Sequence, residues 1–425
     1  MKNRQAIYLL FAANSISGFA MGITMIAIPW HYNNVLNLPT EFGTVNVIVT
    51  FLSLFWGLYA GTLIDRYSRK NLFIVATTSG VVLIGGVAML GFYLGDLPAI
   101  LVSFIYGTMF FIYTLHYPNL FAFAQEITDP KDYGRIISWI EIQGQTTTAI
   151  SMAFGAILYK GTTDGAVSFF GFPVQIGITI NAWELHEIFL LNAVTFFIAM
   201  MLISQIRFTP VAQRTIEISS IADRLRTGFA YLKQNPLVFL FGTTSFFIFV
   251  TILVMGFYLA PIYIQNHLKK GADVYASYEM YFAVGSLVAG IFVRDVFKRV
   301  NTVLAVIIMS LTVTAIYLLA MLDINLAIFY MIGFVQGFAN AGTRIMRMTY
   351  LFHHIPNQII GRTGGVFMTV SVMLRLTFLF VLSRQFFVEG DNVIYSYGIL
   401  GLFVLSSAIT LMFFYRKLIA VPSRT

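Results

Sequence analysis

Gly61-Thr62-Leu63-Ile64-Asp65-Arg66-Tyr67-Ser68-Arg69-Lys70 is a charged decapeptide set between two long apolar runs. Charges begin where the hydrocarbon-like side chains stop, which is the pattern of a short loop pinned between two membrane-spanning helices. Gly61 ends the first run and offers a point where two helices can approach closely. Asp65 is the one carboxylate among three cations. It can cap a neighbouring helix or pair with an arginine, so Asp65, Arg66 and Arg69 read as a latch at the membrane face.

The layout returns in Gly290-Ile291-Phe292-Val293-Arg294-Asp295-Val296-Phe297-Lys298-Arg299, again directly after an apolar run, with the order of Arg294 and Asp295 reversed. Pro130 before Gly134-Arg135 and Pro356 before Gly361-Arg362 repeat at nearly the same offset. Two independent matches at one spacing argue for an internal duplication. The pattern Gly-x-x-x-Asp-Arg-x-x-Arg-Lys resembles the loop between helices two and three of the major facilitator superfamily of transporters. That resemblance implies two parallel six-helix halves with a substrate site at their interface.

Composition agrees with the membrane reading. The 425 residues are 58% hydrophobic and only 10% charged, against about 25% charged in soluble domains. The net charge of +8 lies mostly in alternate loops, which is the positive-inside distribution and not a nucleic-acid patch. The absence of cysteine excludes a disulfide framework and a thiolate metal site. Lys2 and Arg4 precede an apolar run with small residues near Gly18 and Ala20, as in a signal peptide, but the run continues to Trp30 and is long enough to span.

Taken in order, the spans are expected at about Ala6–Trp30, Phe42–Ile64, Leu72–Leu94, Ala99–Ala124, Ile136–Tyr159 and Ile188–Ile206. The second half follows at about Leu237–Ile264, Tyr275–Val293, Thr302–Met321, Asn325–Leu351, Thr363–Arg384 and Val393–Tyr415. The result is an all-α polytopic protein of twelve transmembrane helices. Its organisation is an N-terminal half (1–206), a linker with an amphipathic helix (207–236) and a C-terminal half (237–425). Both termini are expected in the cytoplasm, beside an inner (cytoplasmic) membrane. An apolar outer segment over 160–187 is expected to lie partly along the membrane interface.

With all spans laid out, the chain resembles the macrolide-efflux and enterobactin-exporter branch of that superfamily. The resemblance rests on Arg226-Thr227-Gly228-Phe229-Ala230-Tyr231-Leu232-Lys233-Gln234-Asn235-Pro236 and on Tyr278-Glu279-Met280-Tyr281-Phe282-Ala283-Val284-Gly285. Helix 5 departs from the Gly-Pro signature of many drug/proton antiporters, and helix 4 lacks their arginine.

Charges inside spans cost roughly 2.5–3.5 kcal/mol each on insertion scales and are functional candidates by default. They are Glu141, Arg344, Arg347 and Arg375, with His116 as a titratable companion. Arg344 and Arg347 are three residues apart on one helix and could present a forked anion site. Each could equally snorkel to the inner surface. Glu141 is read as the buried acid that could carry a proton, or as a fixed ion pair. Tyr113, Tyr117 and Asn340 are further substrate-lining candidates. The resemblance implies that His116 in helix 4 and Arg344 in helix 10 face one another.

The function expected is secondary transport of a small organic solute by alternating access. Export of an anionic compound such as a siderophore is favoured, with proton coupling, by a monomer among membrane lipids that needs no cofactor or metal. Multidrug or macrolide efflux and organic-anion uptake are the alternatives. A membrane enzyme is disfavoured, because the sequence has no His-Glu-x-x-His or Gly-x-Ser-x-Gly pattern.

Overall fold

In the computed structural model the described residues are 3–129, 132–162, 165–175, 177–209, 221–322, 324–356 and 359–422. The first half consists of α1 (Arg4–Asn34), α2 (Pro39–Arg66), α3 (Arg69–Leu94), α4 (Ala99–Ile127), α5 (Tyr133–Lys160) and α6 (Leu185–Ser204). The loop between α2 and α3 is very short because Ser68 starts the new helix at once, its hydroxyl accepting from the Asn71 amide at 3.5 Å. Asn301 does the same for the helix that follows the repeated loop, accepting from the Leu304 amide at 2.9 Å. Side-chain caps of this kind satisfy donors that a helix start leaves unpaired.

Between α5 and α6 the chain forms an antiparallel hairpin, β1 (Ala166–Phe169) and β2 (Phe172–Gln175). Its turn places Phe170 and Gly171 at φ of 52° and 81°, the positive-φ pair that a two-residue hairpin turn requires. The base is closed by Thr162 N–H donating to the Ile180 carbonyl at 2.9 Å and Trp183 N–H to Leu158 at 2.7 Å. The apolar content of 160–187 conceals this element from a sequence reading.

The second half begins with α7 (Ile221–Gln234), the amphipathic linker helix. It is followed by α8 (Pro236–Ser245), α9 (Phe247–Val254), a π-turn (Met255–Leu259) and α10 (Ala260–Asn266). Then come α11 (Ala272–Val296), α12 (Thr302–Leu319), α13 (Leu326–His354), α14 (Ile360–Leu382), the short α15 (Gln385–Val388), α16 (Val393–Phe413) and α17 (Tyr415–Ile419). The linker helix is packed into the second unit. Its Gly228 packs so closely on α14 that a Cβ there would come within 2.4 Å of the Arg362 carbonyl, and Tyr231 donates to the His354 carbonyl at 2.9 Å.

The span expected as one helix over Leu237–Ile264 is therefore segmented, and each joint has a physical cause. Pro261 has no N–H for the Phe257 carbonyl, so the ladder widens to a π-turn just before it. The Gly256 carbonyl in that turn accepts from the Tyr275 hydroxyl at 2.7 Å. At the other joint, Phe246 N–H falls back on Thr243 at 3.1 Å. The Thr244 carbonyl accepts from Ser407 and the Ser245 carbonyl from Arg347, each at 3.0 Å. Broken helices persist in a bilayer only when neighbours satisfy the freed backbone in this way.

Eleven helices among the described residues are long and apolar enough to cross a membrane, with α8–α10 counted as one. The twelfth by position, α5, has 28 residues, but Glu141, Gln143, Gln145 and Thr146–Thr148 lower its hydropathy. Two compact units emerge, Met1–Leu38 with Leu52–Ile218, and Pro39–Phe51 with Ser219–Thr425. The start of α2 thus groups with the second unit, where Tyr258 donates to the Pro39 carbonyl at 3.2 Å.

Close helix contact does not occur at the glycines the signature suggested. A Cβ on Gly61 or Gly290 would meet nothing within 4 Å. It occurs instead where α11 crosses α13. A Cβ on Gly337 would sit 1.9 Å from the Phe282 carbonyl, and one on Gly285 would sit 2.0 Å from that of Phe334. Gly333 and Gly337 form the Gly-x-x-x-Gly stripe that allows backbones to touch.

Candidate functional site

At the end of the first unit that carries the α2–α3 loop, the basic loop holds helix ends together. Arg69 Nη1 donates to the Ala122 carbonyl at 2.8 Å and pairs with Glu126 at 3.1 Å, while Asn119 of α4 donates back to the Arg69 carbonyl at 2.9 Å. Lys70 donates to the carbonyls of Ser204 and Ile206, both at 2.8 Å, placing a cation at the negative end of α6. Arg66 is exposed, with its guanidinium 6.0 Å from the Tyr67 ring centroid. The side chains of Asp65 and Arg294 lie outside the described residues, and Asp295 is exposed. The latch resolved here is thus Arg69 and Lys70 on backbone carbonyls. Arg69→Ala is expected to lower stability by about 1 kcal/mol, since its ion pair is partly hydrated. Thermal unfolding in detergent measures this, and Glu126→Gln should cost less than Arg69→Ala.

Inside the first unit, His116 joins a buried polar chain that crosses three helices. His116 Nε2 lies 2.7 Å from Asn14 Oδ1, Asn14 Nδ2 donates to Gln143 Oε1 at 3.0 Å, and Gln143 Nε2 donates to the Phe11 carbonyl at 2.6 Å and to the Ser15 hydroxyl. Because Asn14 donates through its nitrogen, its oxygen must accept, so His116 carries its proton on Nε2. The ring also packs edge-on against Phe73, with centroids 5.1 Å apart. His116, expected as a substrate ligand, is thus committed to Asn14 and Phe73 within its own unit.

The outer face of α4 carries Tyr113, exposed, and Tyr117, half-buried, with ring centroids 4.9 Å apart. The Tyr117 hydroxyl reaches toward Gly144 of α5 and lies within electrostatic reach of Glu141. Glu141 is half-buried and not the enclosed acid the sequence suggested. The reason is packing: α5 rests far more on α1 than on α4, and the side toward α4 stays open.

In the second unit the forked Arg344–Arg347 pair is not formed. Arg347 is 5% exposed, bonded to the Ser245 carbonyl and stacked 3.6 Å from the Phe246 ring centroid. Arg344 is exposed. The boundary between the buried and open faces of α13 runs between them, so one arginine braces the α8–α9 joint and the other is presented outward. Asn340, one turn before Arg344, is partly buried, and Arg375 is buried on α14. Glu279 of α11 directs a carboxylate oxygen at the π-turn, 3.4 Å from where a Gly256 Cβ would lie.

Asn14, Gln143, Tyr275 and Ser407 emerge as positioning residues that charge-based reading passes over. The available signal was amides and hydroxyls at an unusual density within spans, most clearly in α5, since each must find a partner away from water.

The sequence matches the family model of the Major Facilitator Superfamily over residues 10–378. No curated protein matches it. Its fold is similar to that of the nucleoside transporter NupG, in a point-mutant form, with a TM-score of 0.74 at 12% identity over 96% of this chain and 100% of that one. It is similar to a bacterial homologue of the iron transporter ferroportin in an inward-facing state, with a TM-score of 0.72 at 11% identity and coverage of 97% and 99%. The xylose transporter XylE from E. coli gives a TM-score of 0.66 at 14% identity, covering 96% of each chain. With duplicated loops, a segmented seventh span and a family match over most of its length, the chain belongs to the Major Facilitator Superfamily and is a multi-pass secondary transporter that works by alternating access.

Proposed function

We propose that this transporter exports an anionic organic solute, of the catecholate or carboxylate siderophore class, from the cytoplasmic membrane, as a monomer with both termini inside. The observation that carries the reading is Arg344: a permanent cation exposed on a membrane-spanning helix whose neighbour Arg347 is locked into the core. A guanidinium kept at such cost offers charge-assisted, bidentate bonds to a carboxylate or catecholate. Asn340 and the buried Arg375 extend the polar character of the second unit. Glu141, half-buried on α5, is the acid assigned to proton coupling. The basic inner loops support the orientation.

Everted membrane vesicles test this directly. Arg344→Ala should reduce uptake of a radiolabelled catecholate siderophore by about tenfold or more, the scale of one lost charge-assisted bond, and Arg344→Lys should restore part of it. Uptake of a lipophilic cation should be unchanged. Full siderophore transport by Arg344→Ala would defeat the anion assignment, and loss confined to lipophilic cations would favour multidrug efflux.

A further inference from the structure

Between α1 and α5, wholly within the first unit, lies a groove of about 440 Å³, the size of small-molecule sites in general. One stripe of α1, Phe11, Ser15 and Phe19, faces Trp139, Thr146 and Thr147 of α5 across it. Its floor is the Gln143 amide, fixed by bonds to Asn14, Ser15 and the Phe11 carbonyl. The floor therefore cannot swing to meet different ligands, and recognition falls to aromatic faces and hydroxyls. The Phe11 and Trp139 rings stand edge-to-face at 6.3 Å, which forms a corner suited to a flat ring.

No lining residue is charged, but Arg135 lies one turn before Trp139 on the same face of α5. Its guanidinium sits 4.6 Å from the Trp139 ring centroid, and its side chain is exposed. Glu141, the other charge on this part of α5, lies on the opposite face of the helix, toward Tyr117. The groove thus joins an aromatic slot with hydroxyls to a single cation at one end.

We infer that the α1–α5 groove is a binding site for planar aromatic acids, the ring held by Phe11, Phe19 and Trp139 and the acid group by Arg135. This deepens the anion-export reading and rests on it for the ligand's charge. An acyl chain would fill the same slot but would not use Thr146, Thr147 or the cation.

The native chain has no cysteine, so Thr146→Cys provides a single reporter inside the groove with little change in volume. The purified full-length variant is alkylated with N-ethylmaleimide in the presence of 2-naphthoate, uncharged 2-naphthalenemethanol, or oleate. The expected result is that 2-naphthoate slows alkylation at least tenfold lower in concentration than the alcohol, that oleate is the weakest, and that adding Arg135→Gln abolishes the difference between acid and alcohol. Absence of protection by 2-naphthoate, protection chiefly by oleate, or indifference to Arg135→Gln would each overturn the assignment. Protection that persists when Arg344→Ala is added supports the groove whatever that change does to siderophore transport, so the two readings fail separately.

Discussion

Gly337→Val is expected to prevent correct assembly of the second unit. A Cβ at this position would lie 1.9 Å from the Phe282 carbonyl, with the Phe282 Cα 3.0 Å away. The obstruction is backbone, which no rotamer change relieves. To accommodate even one methyl, α11 and α13 must separate, and that also strains the Gly285 contact and the Tyr278–Gln336 hydrogen bond across the same crossing. Overpacking typically costs 1–3 kcal/mol and occasionally more. With two backbones in contact, about 3 kcal/mol or more is the expected loss for valine, and a smaller one for Gly337→Ala. Fluorescence-detected size-exclusion and thermal unfolding report this as lost monodisperse protein for valine and a lowered Tm for alanine. A monodisperse Gly337→Val protein with an unchanged Tm would contradict the close crossing.

Asn14→Leu is expected to cost about 2 kcal/mol, by a different mechanism. Leucine fills the volume but leaves the His116 Nε2 proton and Gln143 Oε1, both bonded to Asn14 before, with nothing to bond. A buried orphan costs about 1–3 kcal/mol in soluble proteins. Hydrogen bonds between membrane helices average about 0.6 kcal/mol and reach about 1.7, which sets the estimate toward the low end for each of the two. His116→Phe alone should cost less, because it removes a donor together with its need. The double variant Asn14→Leu/His116→Phe should be more stable than the sum of the single losses predicts, since only Gln143 then remains unsatisfied. Strict additivity in thermal unfolding would mean that Asn14 does not link the two helices.

The spans and the duplication were legible because hydrocarbon thickness fixes helix length and charge placement fixes the loops, so the Gly61–Lys70 stretch and its copy organise the whole chain. Helix packing was not legible from the same stretch. Gly61 looks like a packing glycine but faces open space, while Gly337, within an ordinary apolar run, carries the closest contact. A glycine's role depends on which face another helix reaches, and periodicity in one helix does not contain that information. The arginines show the same limit: Arg344 and Arg347 lie three residues, less than one turn, apart, yet a tertiary boundary gives them opposite fates. Segmentation of the seventh span was half-visible in Pro261, whose missing N–H predicts a joint. The joint at Phe246 has no proline, and its cause, a carbonyl captured by an arginine about a hundred residues downstream, exists only in three dimensions.

The latch at Lys70 bears on how the chain is made. Lys70 is bonded to the carbonyls of Ser204 and Ile206, 134 and 136 residues further along, and Asn3 exchanges bonds with Thr209, 206 residues away. During synthesis the first five spans of this unit leave the ribosome with the amine of Lys70 still waiting and the Asn3 amide able to reach only the Ile127 carbonyl. Their partners at Ser204, Ile206 and Thr209 emerge only when the sixth helix is complete. The first unit therefore closes as a ring whose last-made end is sewn to its first-made one, and truncated nascent chains that stop short of residue 209 should remain open to protease at their amino terminus.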